Sequence, residues 1–173
     1  MDGRRVAVGV GVAVVVVVAV AVGAWAVGSW SADGGHERAT VTVVDESGGT
    51  LGRVNASVAD SGAERYRGLS GTASLGNGSG KLFVYGEEGE RAFVMREMNY
   101  PLDVVFVGGD GRITAIRHAP TEEPPYREYR GRARWVLEVN RGWTTRHGVS
   151  VGDRVRIAYG DGSVAGYPAS APG

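Results

Sequence analysis

The stretch AFVMREMNYPLDVVF, residues 92–106, is the most informative part of the chain, because a short polar break separates two apolar runs in it. The second run opens on Pro101, and proline suits the first position of a strand, where its missing N–H leaves no ladder hydrogen bond unmade. An Asn-x-Pro break also favours a turn. The stretch therefore predicts a strand, a tight connection and a second strand, with alternate side chains on opposite faces.

Three charged residues fall inside these predicted strands. Alternation places Glu97 on the same face as Phe93 and Met95, and it places Asp103 with the valines two and four residues later. A buried carboxylate needs a partner, and an arginine side chain can offer it two parallel hydrogen bonds. Such a cluster is either a pocket for an anionic or polar ligand or a structural ion pair. The candidate ligand-binding residues are Arg67, Arg96, Glu97, Asp103 and Glu138.

The same stretch resembles the central signature of the domain of unknown function 192 family, also called uncharacterised protein family 0127. That signature reads roughly Phe-Trp-Met-Lys-Asn-Thr-x-x-Pro-Leu-Asp-Ile-x-Phe. The chain differs from it in having Val94 for Trp, Arg96 for Lys and Glu97-Met98 for Asn-Thr. The residues that match are Phe93, Met95, Pro101, Leu102, Asp103 and Phe106.

Further matches to this family bracket the signature, so that the resemblance covers about residues 55–159. It implies the fold of the family, whose own activity is not established. The bracketing matches are Arg67-Gly68-Leu69, Leu75, Leu82-Phe83, Gly111-Arg112-Ile113, Val136-Leu137-Glu138-Val139, Gly142-Trp143 and Gly152-Asp153.

Length and composition limit the possibilities. A chain of 173 residues has room for one compact domain and an appendage. Its formal net charge is zero and its basic residues are interleaved with acidic ones, so we expect no nucleic-acid partner. The absence of cysteine excludes disulfides, thiolate metal ligands and cysteine nucleophiles.

The N-terminal segment predicts export. Arg4 and Arg5 precede an uncharged run at residues 6–27, which as a helix would span about 33 Å, enough for a hydrocarbon core of ~30 Å. We therefore expect residues 1–30 to be a single-pass membrane anchor, with a cytoplasmic N-terminus and an extracytoplasmic globular domain. The alternative is a signal peptide cleaved near Ala26, which would release a secreted protein.

The remaining pattern predicts a mostly β (α+β) fold: a small antiparallel, curled or barrel-like sheet with two short helices. The globular domain is expected at residues 39–160, between a tether at 31–38 and a flexible tail at 161–173. Strands are predicted at 39–44, 51–59, 81–85, 93–98, 102–107, 112–118, 134–139 and 153–159.

Local signals place the turns and helices. Ser61 and Glu64 have the spacing of a capping box, which predicts a helix running to about Leu69. Asp110-Gly111 predicts a hairpin, and the acidic residues 87–90 predict another hairpin tip. Asn140 is expected to cap a second helix, which reaches His147. Residues 119–131 form a long loop, either a lid or docking surface or a solvated crossover.

Motifs for catalysis and for cofactors are missing. There is no Gly-x-Ser-x-Gly elbow, phosphate loop or dinucleotide fingerprint in the folded part. His118, Glu138 and Asp103 could form a mixed oxygen and nitrogen metal site only if folding brought all three together. We therefore predict no cofactor and no metal.

Two functions remain open. The first is a non-enzymatic binding or accessory module of the cell envelope, with an envelope protein or a small polar ligand as partner. The alternative is a hydrolase or isomerase in which Asp103 and Glu97 act as acid and base and Arg96 binds an anion. A concave pocket that gathers the charged residues, with a carboxyl pKa raised toward neutrality, would favour the enzyme. A filled interior with paired charges would favour the binding module.

Overall fold

The computed structural model describes residues 37–168. The predicted anchor at 1–30, most of the tether and the last five residues lie outside this range. Within the described range, no helix has the length and apolar character needed to cross a membrane. The predicted span at residues 6–27 therefore stays a prediction.

The described chain is mostly β, as predicted, with one eight-stranded sheet and two short helices. The helices are α1 (Gly62–Arg67) and α2 (Trp143–Arg146). The strands are β1 (Arg38–Val44), β2 (Thr50–Ala59), β3 (Ser79–Phe93), β4 (Leu102–Val107), β5 (Ile113–Ala119), β6 (Tyr129–Asn140), β7 (Arg154–Tyr159) and β8 (Val164–Gly166). Their order across the sheet is β5-β4-β6-β3-β2-β1-β7-β8.

The sheet is open and mixed, whereas the sequence predicted an antiparallel one. β2 and β3 pair in parallel, with Asn55 opposite Ser79. The chain between them carries α1 and a polar loop, and such a crossover is the connection that parallel neighbours require. The two ends of the sheet touch at one point, where Arg112 bridges to Arg154 and the Ile113 N–H donates to the Asp153 carbonyl at 2.9 Å.

Two apolar cores lie on opposite faces of the central strands β3, β6 and β4. Neighbouring residues alternate between them: Leu82 and Leu137 belong to the first core, Phe83 and Val136 to the second. β4 is buried at all six positions, which suits its unbroken apolar and β-branched sequence. The first core also receives β1, β2 and β7, and the second core is covered by the segments that follow α1 and β3.

β3 corrects the predicted acidic hairpin tip. Residues 79–93 form one long strand with a register shift between Val84 and Gly89, not a strand, a turn and a second strand. The reason lies in Glu88, whose carboxylate accepts from the Gly109 N–H at 2.6 Å and from Arg132 Nε at 2.5 Å. These partners on the β4–β5 turn and on β6 hold the acidic segment against the sheet.

The signature stretch also departs from its predicted shape. β3 ends at Phe93, and residues 94–101, here called the signature connection, are not a strand. Glu97 has a φ of 55°, which no strand allows, so the predicted alternation fails: Met95 is buried and Glu97 is exposed. The loop after α1 holds this connection, because the Ser70 hydroxyl donates to the Arg96 carbonyl at 2.9 Å.

One helix start is confirmed and the other is wrong. In α1, the Glu64 N–H donates to the Ser61 hydroxyl at 3.2 Å and the Ser61 N–H donates to the Glu64 carboxylate at 3.1 Å, which completes the capping box. In α2, the N-cap is Gly142 and not Asn140. The Asn140 amide donates instead to the Leu75 carbonyl at 2.8 Å, which ties the end of β6 to the polar loop.

The hairpin predicted at Asp110-Gly111 is confirmed as β4–β5, and the predicted strands β1 and β2 also pair antiparallel. Gly111 lies at the β4–β5 turn with a φ of 78°, and a Cβ there would collide with the backbone of Gly166 and Tyr167. Those two residues fall in the predicted flexible tail, part of which is ordered: β8 pairs with β7. The Tyr167 N–H donates to the Val155 carbonyl at 2.7 Å. A three-residue strand is too short to be recognised by its periodicity.

Candidate functional site

A cavity of about 310 Å³ opens on the side of the second core, between α1, β3 and the signature connection. β6 contributes a single residue to it, Glu138. The walls combine polar and apolar side chains, and the apolar ones include Phe83, Phe93, Met95, Met98 and Leu102.

Aromatic packing fixes one wall. The Phe93 ring meets the Phe83 ring edge to face, with 4.8 Å between centroids, and it meets the Phe106 ring at 5.9 Å. Gly68 ends α1 with a φ of 54°, and a Cβ there would lie 3.3 Å from the Phe83 ring. Glycine therefore lets the chain leave α1 directly above this wall.

Glu138 is the buried polar group of the cavity. Its side chain is 6% exposed and, among the described residues, its carboxyl has no hydrogen-bond donor and no cation within 4 Å. Burial raises the pKa of Glu138 to about 8, even though Lys81, its neighbour across the β3–β6 pair, pulls the value down. At neutral pH the carboxyl is therefore largely protonated and can donate a hydrogen bond into the cavity.

Three arginines line the same cavity: Arg65, Arg67 and Arg96. In the part of the chain that the structure describes, none of them has a carboxylate within 4 Å. Arg65 donates to the carbonyls of Asp60 and Val84, the latter at 2.9 Å. These contacts fix the guanidinium but leave its positive charge without a counter-ion.

The other two arginines differ in how they are held. Arg96 Nη2 donates to the Tyr66 carbonyl at 2.9 Å, and its guanidinium lies 4.4 Å from the Tyr66 ring centroid. Arg67 is exposed and, among the described residues, makes no such contact. It is thus the arginine of the cavity whose hydrogen-bond donors are fully available to an anion.

Tyr85 adds a hydroxyl to the lining. The guanidinium of Arg91 lies 3.9 Å from its ring centroid and that of Arg65 lies 5.2 Å away. Burial raises the pKa of Tyr85 above its ordinary value, against the opposing effect of these two arginines, so the phenol stays neutral.

Glu97 lies outside the cavity. It lines a shallower neighbouring groove of about 650 Å³, which it shares with Arg67 and Arg96. Arg67 and Arg96 thus line both the cavity and the groove, whereas the exposed Glu97 lines only the groove.

Asp103 belongs to another part of the molecule. It is fully buried on the opposite face of β4, and the Thr144 N–H and hydroxyl donate to its Oδ2 at 3.0 and 2.7 Å. Its Oδ1 lies 2.7 Å from His118 Nδ1 and 3.6 Å from Arg141 Nε. Burial raises the pKa of Asp103, but the hydrogen bonds from His118 and Thr144 outweigh it and hold the pKa below its ordinary value.

The predicted candidate residues are therefore divided among three places. Arg67, Arg96 and Glu138 line one cavity, Glu97 lies on the neighbouring groove, and Asp103 joins β4 to β5 and α2. The arginine nearest to Asp103 is Arg141, which the sequence analysis did not single out.

Sequence reasoning missed Arg65, Tyr66 and Tyr85 as part of the site. Tyr85 had a usable signal, because alternation along β3 places it on the same face as Phe83. Thr144 had none, because 41 residues separate it from Asp103 and nothing local relates the two.

The three residues weighed as metal ligands do not converge. His118 contacts Asp103, but Glu138 pairs in register with Val104, the next residue, and so faces the other side of the sheet. Within residues 37–168, no three His, Asp or Glu side chains lie close enough to hold a metal ion.

The segment of the chain that matches a protein family contains this site and extends beyond it. Residues 43–157, more than half of the chain, match the family described as an uncharacterized ACR, domain of unknown function 192. The chain belongs to the domain of unknown function 192 family. The resemblance seen in the signature is thereby confirmed, and the cavity is built from residues within the part that matches.

Two solved structures resemble this member of the family. A putative transcription regulator from Sinorhizobium meliloti 1021 is 29% identical, with a TM-score of 0.65 over 73% of this chain and 98% of that one. A protein of unknown function from Novosphingobium aromaticivorans DSM 12444 is 32% identical, with a TM-score of 0.58 over 67% of this chain and 82% of that one. No curated protein matches the chain. The similarity to these two structures supports the fold.

Proposed function

We propose that this protein is a membrane-tethered, extracytoplasmic binding module of the cell envelope that holds a small anionic ligand in the cavity beside α1. The tether is supported by Arg4, Arg5 and the uncharged run at residues 6–27. The binding role is supported by the cavity itself, whose volume lies at the small end of the ~300–1,000 Å³ typical of ligand pockets.

We infer that the ligand is negatively charged because the arginines of the cavity have no carboxylate partner in the described part of the chain. Arg65, Arg67 and Arg96 surround one opening, and none has a carboxylate within 4 Å among the described residues. Guanidinium groups bind carboxylate and phosphate oxygens through parallel hydrogen bonds. A cluster of like charges is unfavourable unless an anion joins it, which makes an anionic ligand the natural occupant.

The enzyme alternative has less support. Asp103, one of its two proposed acid and base residues, is fully buried and already accepts hydrogen bonds on both oxygens. The other, Glu97, is exposed on the neighbouring groove. A substrate in that groove would not touch Asp103, so the two carboxyl groups cannot work as an acid and base pair.

The binding role is tested by titrating the full chain in lipid nanodiscs with short-chain fatty acids and alkyl phosphates, using calorimetry and empty nanodiscs as a blank. We expect Arg67→Gln to raise the Kd at least about tenfold, because each charge-assisted hydrogen bond contributes ~1.5–3 kcal/mol. Arg53→Gln is the matched control, because Arg53 is exposed on β2 and does not line the cavity. Equal affinities for the two variants would contradict the assignment.

The location is tested separately. N-terminal sequencing of the mature protein distinguishes an intact anchor from cleavage near Ala26, and protease treatment of intact cells or spheroplasts reports the side of the membrane. A globular domain that is degraded only after lysis of the inner membrane would contradict export.

A further inference from the structure

The cavity is lined by groups of different chemistry, and this difference restricts the ligand. Its lining combines arginines, of which Arg67 is exposed, with apolar side chains and with the buried Glu138. Building on the proposed binding role, we propose that the ligand is a small amphipathic anion with a hydrogen-bond acceptor at its far end. The protonated carboxyl of Glu138 donates a hydrogen bond to that acceptor, so that binding weakens as the pH rises.

The carboxyl of Glu138 has no hydrogen-bond donor within the described part of the protein. The residue is 6% exposed, and no described residue among 37–168 donates to its carboxyl. Its oxygens are not among the fully enclosed unpaired atoms of the described residues, which are Nε of Arg154 and Nε of Arg156, so they face the cavity and whatever fills it. A group that lines a cavity can be satisfied by what fills the cavity.

The surroundings of Glu138 favour an acceptor over an ammonium group. β3 contributes Lys81 and Tyr85 on the same face, and α1 contributes Arg65 and Arg67. The signature connection adds Arg96, and β4 adds only the apolar side chains Leu102 and Val104. A ligand cation would meet four positive side chains, whereas a neutral carbonyl oxygen would accept a hydrogen bond from the protonated carboxyl without charge repulsion.

The volume of the cavity limits the size of the ligand. About 310 Å³ corresponds to roughly ten water-sized groups at ~30 Å³ each. A single carboxylate or phosphate with a chain of six to ten carbons and one terminal carbonyl meets this limit, and the apolar walls match its methylene groups.

Proton linkage follows from this contact. Burial raises the pKa of Glu138 to about 8. A ligand that accepts a hydrogen bond from the protonated carboxyl stabilises the protonated form and raises this pKa further. Above the pKa of the free protein, the Kd then rises by up to about tenfold per pH unit. The neighbouring arginines keep their charge throughout this range, so the attraction at the opening is unchanged.

The test uses hexanoate, octanoate and decanoate, each paired with its derivative that carries a ketone at the penultimate carbon. Their Kd values are measured on the full chain in nanodiscs, at pH values about 1.5 units below and above 8. At the lower pH we expect at least one ketone derivative to bind about tenfold or more tightly than its parent acid. At the higher pH we expect this preference to disappear.

Two variants of Glu138 give the decisive comparison. Glu138→Gln keeps a neutral donor, so we expect it to retain the ketone preference at both pH values. Glu138→Leu removes the donor, and we expect it to lose the preference at both. Thermal unfolding of each variant, compared with the wild type, confirms that it is folded before its affinity is interpreted.

The outcomes separate this inference from the binding role on which it rests. If ketone derivatives and parent acids bind equally, and Arg67→Gln still weakens both, the binding role stands and the assignment of Glu138 fails. A ketone preference that survives Glu138→Leu, or that grows with pH, also overturns the assignment. If none of the six acids binds, both proposals fail.

Discussion

At the scale of single residues, the site depends on two side chains kept in unfavourable environments. Glu138 is a buried carboxyl that lines the cavity, and Glu97 is a non-glycine residue in a left-handed backbone conformation. Each costs folding free energy, although the Gly71 N–H donates to the Glu97 carbonyl at 3.1 Å. Both residues line pockets that also contain Arg67 and Arg96. Backbone strain and desolvated carboxyl groups of this kind are often found at binding sites.

Glu138 makes stability depend on pH in a defined direction. Its pKa rises from 4.5 in the unfolded chain to about 8 in the folded protein. The folded state therefore binds the extra proton between these values, and the corresponding stability is lost as the pH rises, at about 1.4 kcal/mol per unit. We expect Glu138→Gln to become more stable than the wild type as the pH rises from 5 to about 8, in denaturant titrations.

The control for this prediction is Glu90→Gln, an exposed carboxyl on β3. Its free energy of unfolding should follow that of the wild type across the same pH range. A difference between Glu138→Gln and the wild type that stays constant with pH would show that Glu138 is already ionised in the folded protein.

Glu97 has a φ of 55°, where asparagine is tolerated better than glutamate. The family signature also has Asn at this position. We expect Glu97→Asn to raise the free energy of unfolding by about 0.5–1 kcal/mol, measured by urea denaturation. Glu123→Asn, an exposed loop substitution at a negative φ, is the control; an equal gain there would mean that backbone strain at residue 97 is not the cause.

At the scale of elements, Asp103 is the residue that joins separate pieces of the fold. Its two oxygens link β4 to β5 through His118 and to α2 through Thr144. Four-residue helices have little stability of their own, so α2 depends on this contact and on the burial of Trp143. The polar network on this face is fully paired, in contrast to the cavity on the other face.

Removing one donor tests this junction. We expect Thr144→Val to lower the free energy of unfolding by about 1–3 kcal/mol, because the buried Asp103 carboxylate loses a hydrogen bond. Thr145→Val, at an exposed position one residue later, should change stability by less than ~0.5 kcal/mol. Both values come from chemical denaturation at neutral pH, and equal losses would rule out a special role for Thr144.

The stabilising contribution of Asp103 to this junction is lost at low pH. The pKa of Asp103 is lowered in the folded state, so its contribution is present above the unfolded value of 3.8 and is lost as the pH falls through the folded value. Thr144→Val removes one cause of the lowered pKa. We therefore expect acid unfolding of this variant to begin at a higher pH than in the wild type, with Thr145→Val unchanged.

At the scale of the whole described domain, one sheet carries two faces of different character. One face buries the first core, and the other carries the second core, the cavity and its arginines. The ends of the sheet meet where the β4–β5 turn packs against β7 and the residues after β8. These contacts join Arg112 to Arg154 and bring Gly111 against Tyr167, which makes the chain up to Tyr167 part of the fold.

Gly111 is the test of that contact. Its positive φ and the closeness of the Gly166 and Tyr167 backbone both exclude a side chain. We expect Gly111→Ala to lower the free energy of unfolding by at least about 2 kcal/mol. Gly86→Ala, where a Cβ would meet nothing within 4 Å, is the control in the same denaturation assay. A mild effect at Gly111 would mean that residues 166–167 do not pack there in solution.

Features specified by neighbouring residues were predictable. The Ser61–Glu64 capping box, the Asp110-Gly111 turn and the buried strand β4 all follow from side chains within a few positions of each other. Glu138 lies on the face opposite Trp135 and Leu137, which follows from alternation along a strand without knowledge of the neighbouring strands. The family was likewise recognisable from one continuous stretch, and the match to residues 43–157 bears it out.

Only the tertiary structure decided which of these residues meet. The parallel pairing of β2 with β3, the partners of Glu88 and the separation of Asp103 from Arg96 all depend on contacts across the sheet. A charged residue in an apolar strand shows that a partner is needed but not which one, because the candidates are equally compatible with the local pattern. The sequence by itself determined where most strands and both helices lie and which faces of the strands are buried. Packing of those faces determined the cavity, since a cavity is the space that several distant segments leave between them.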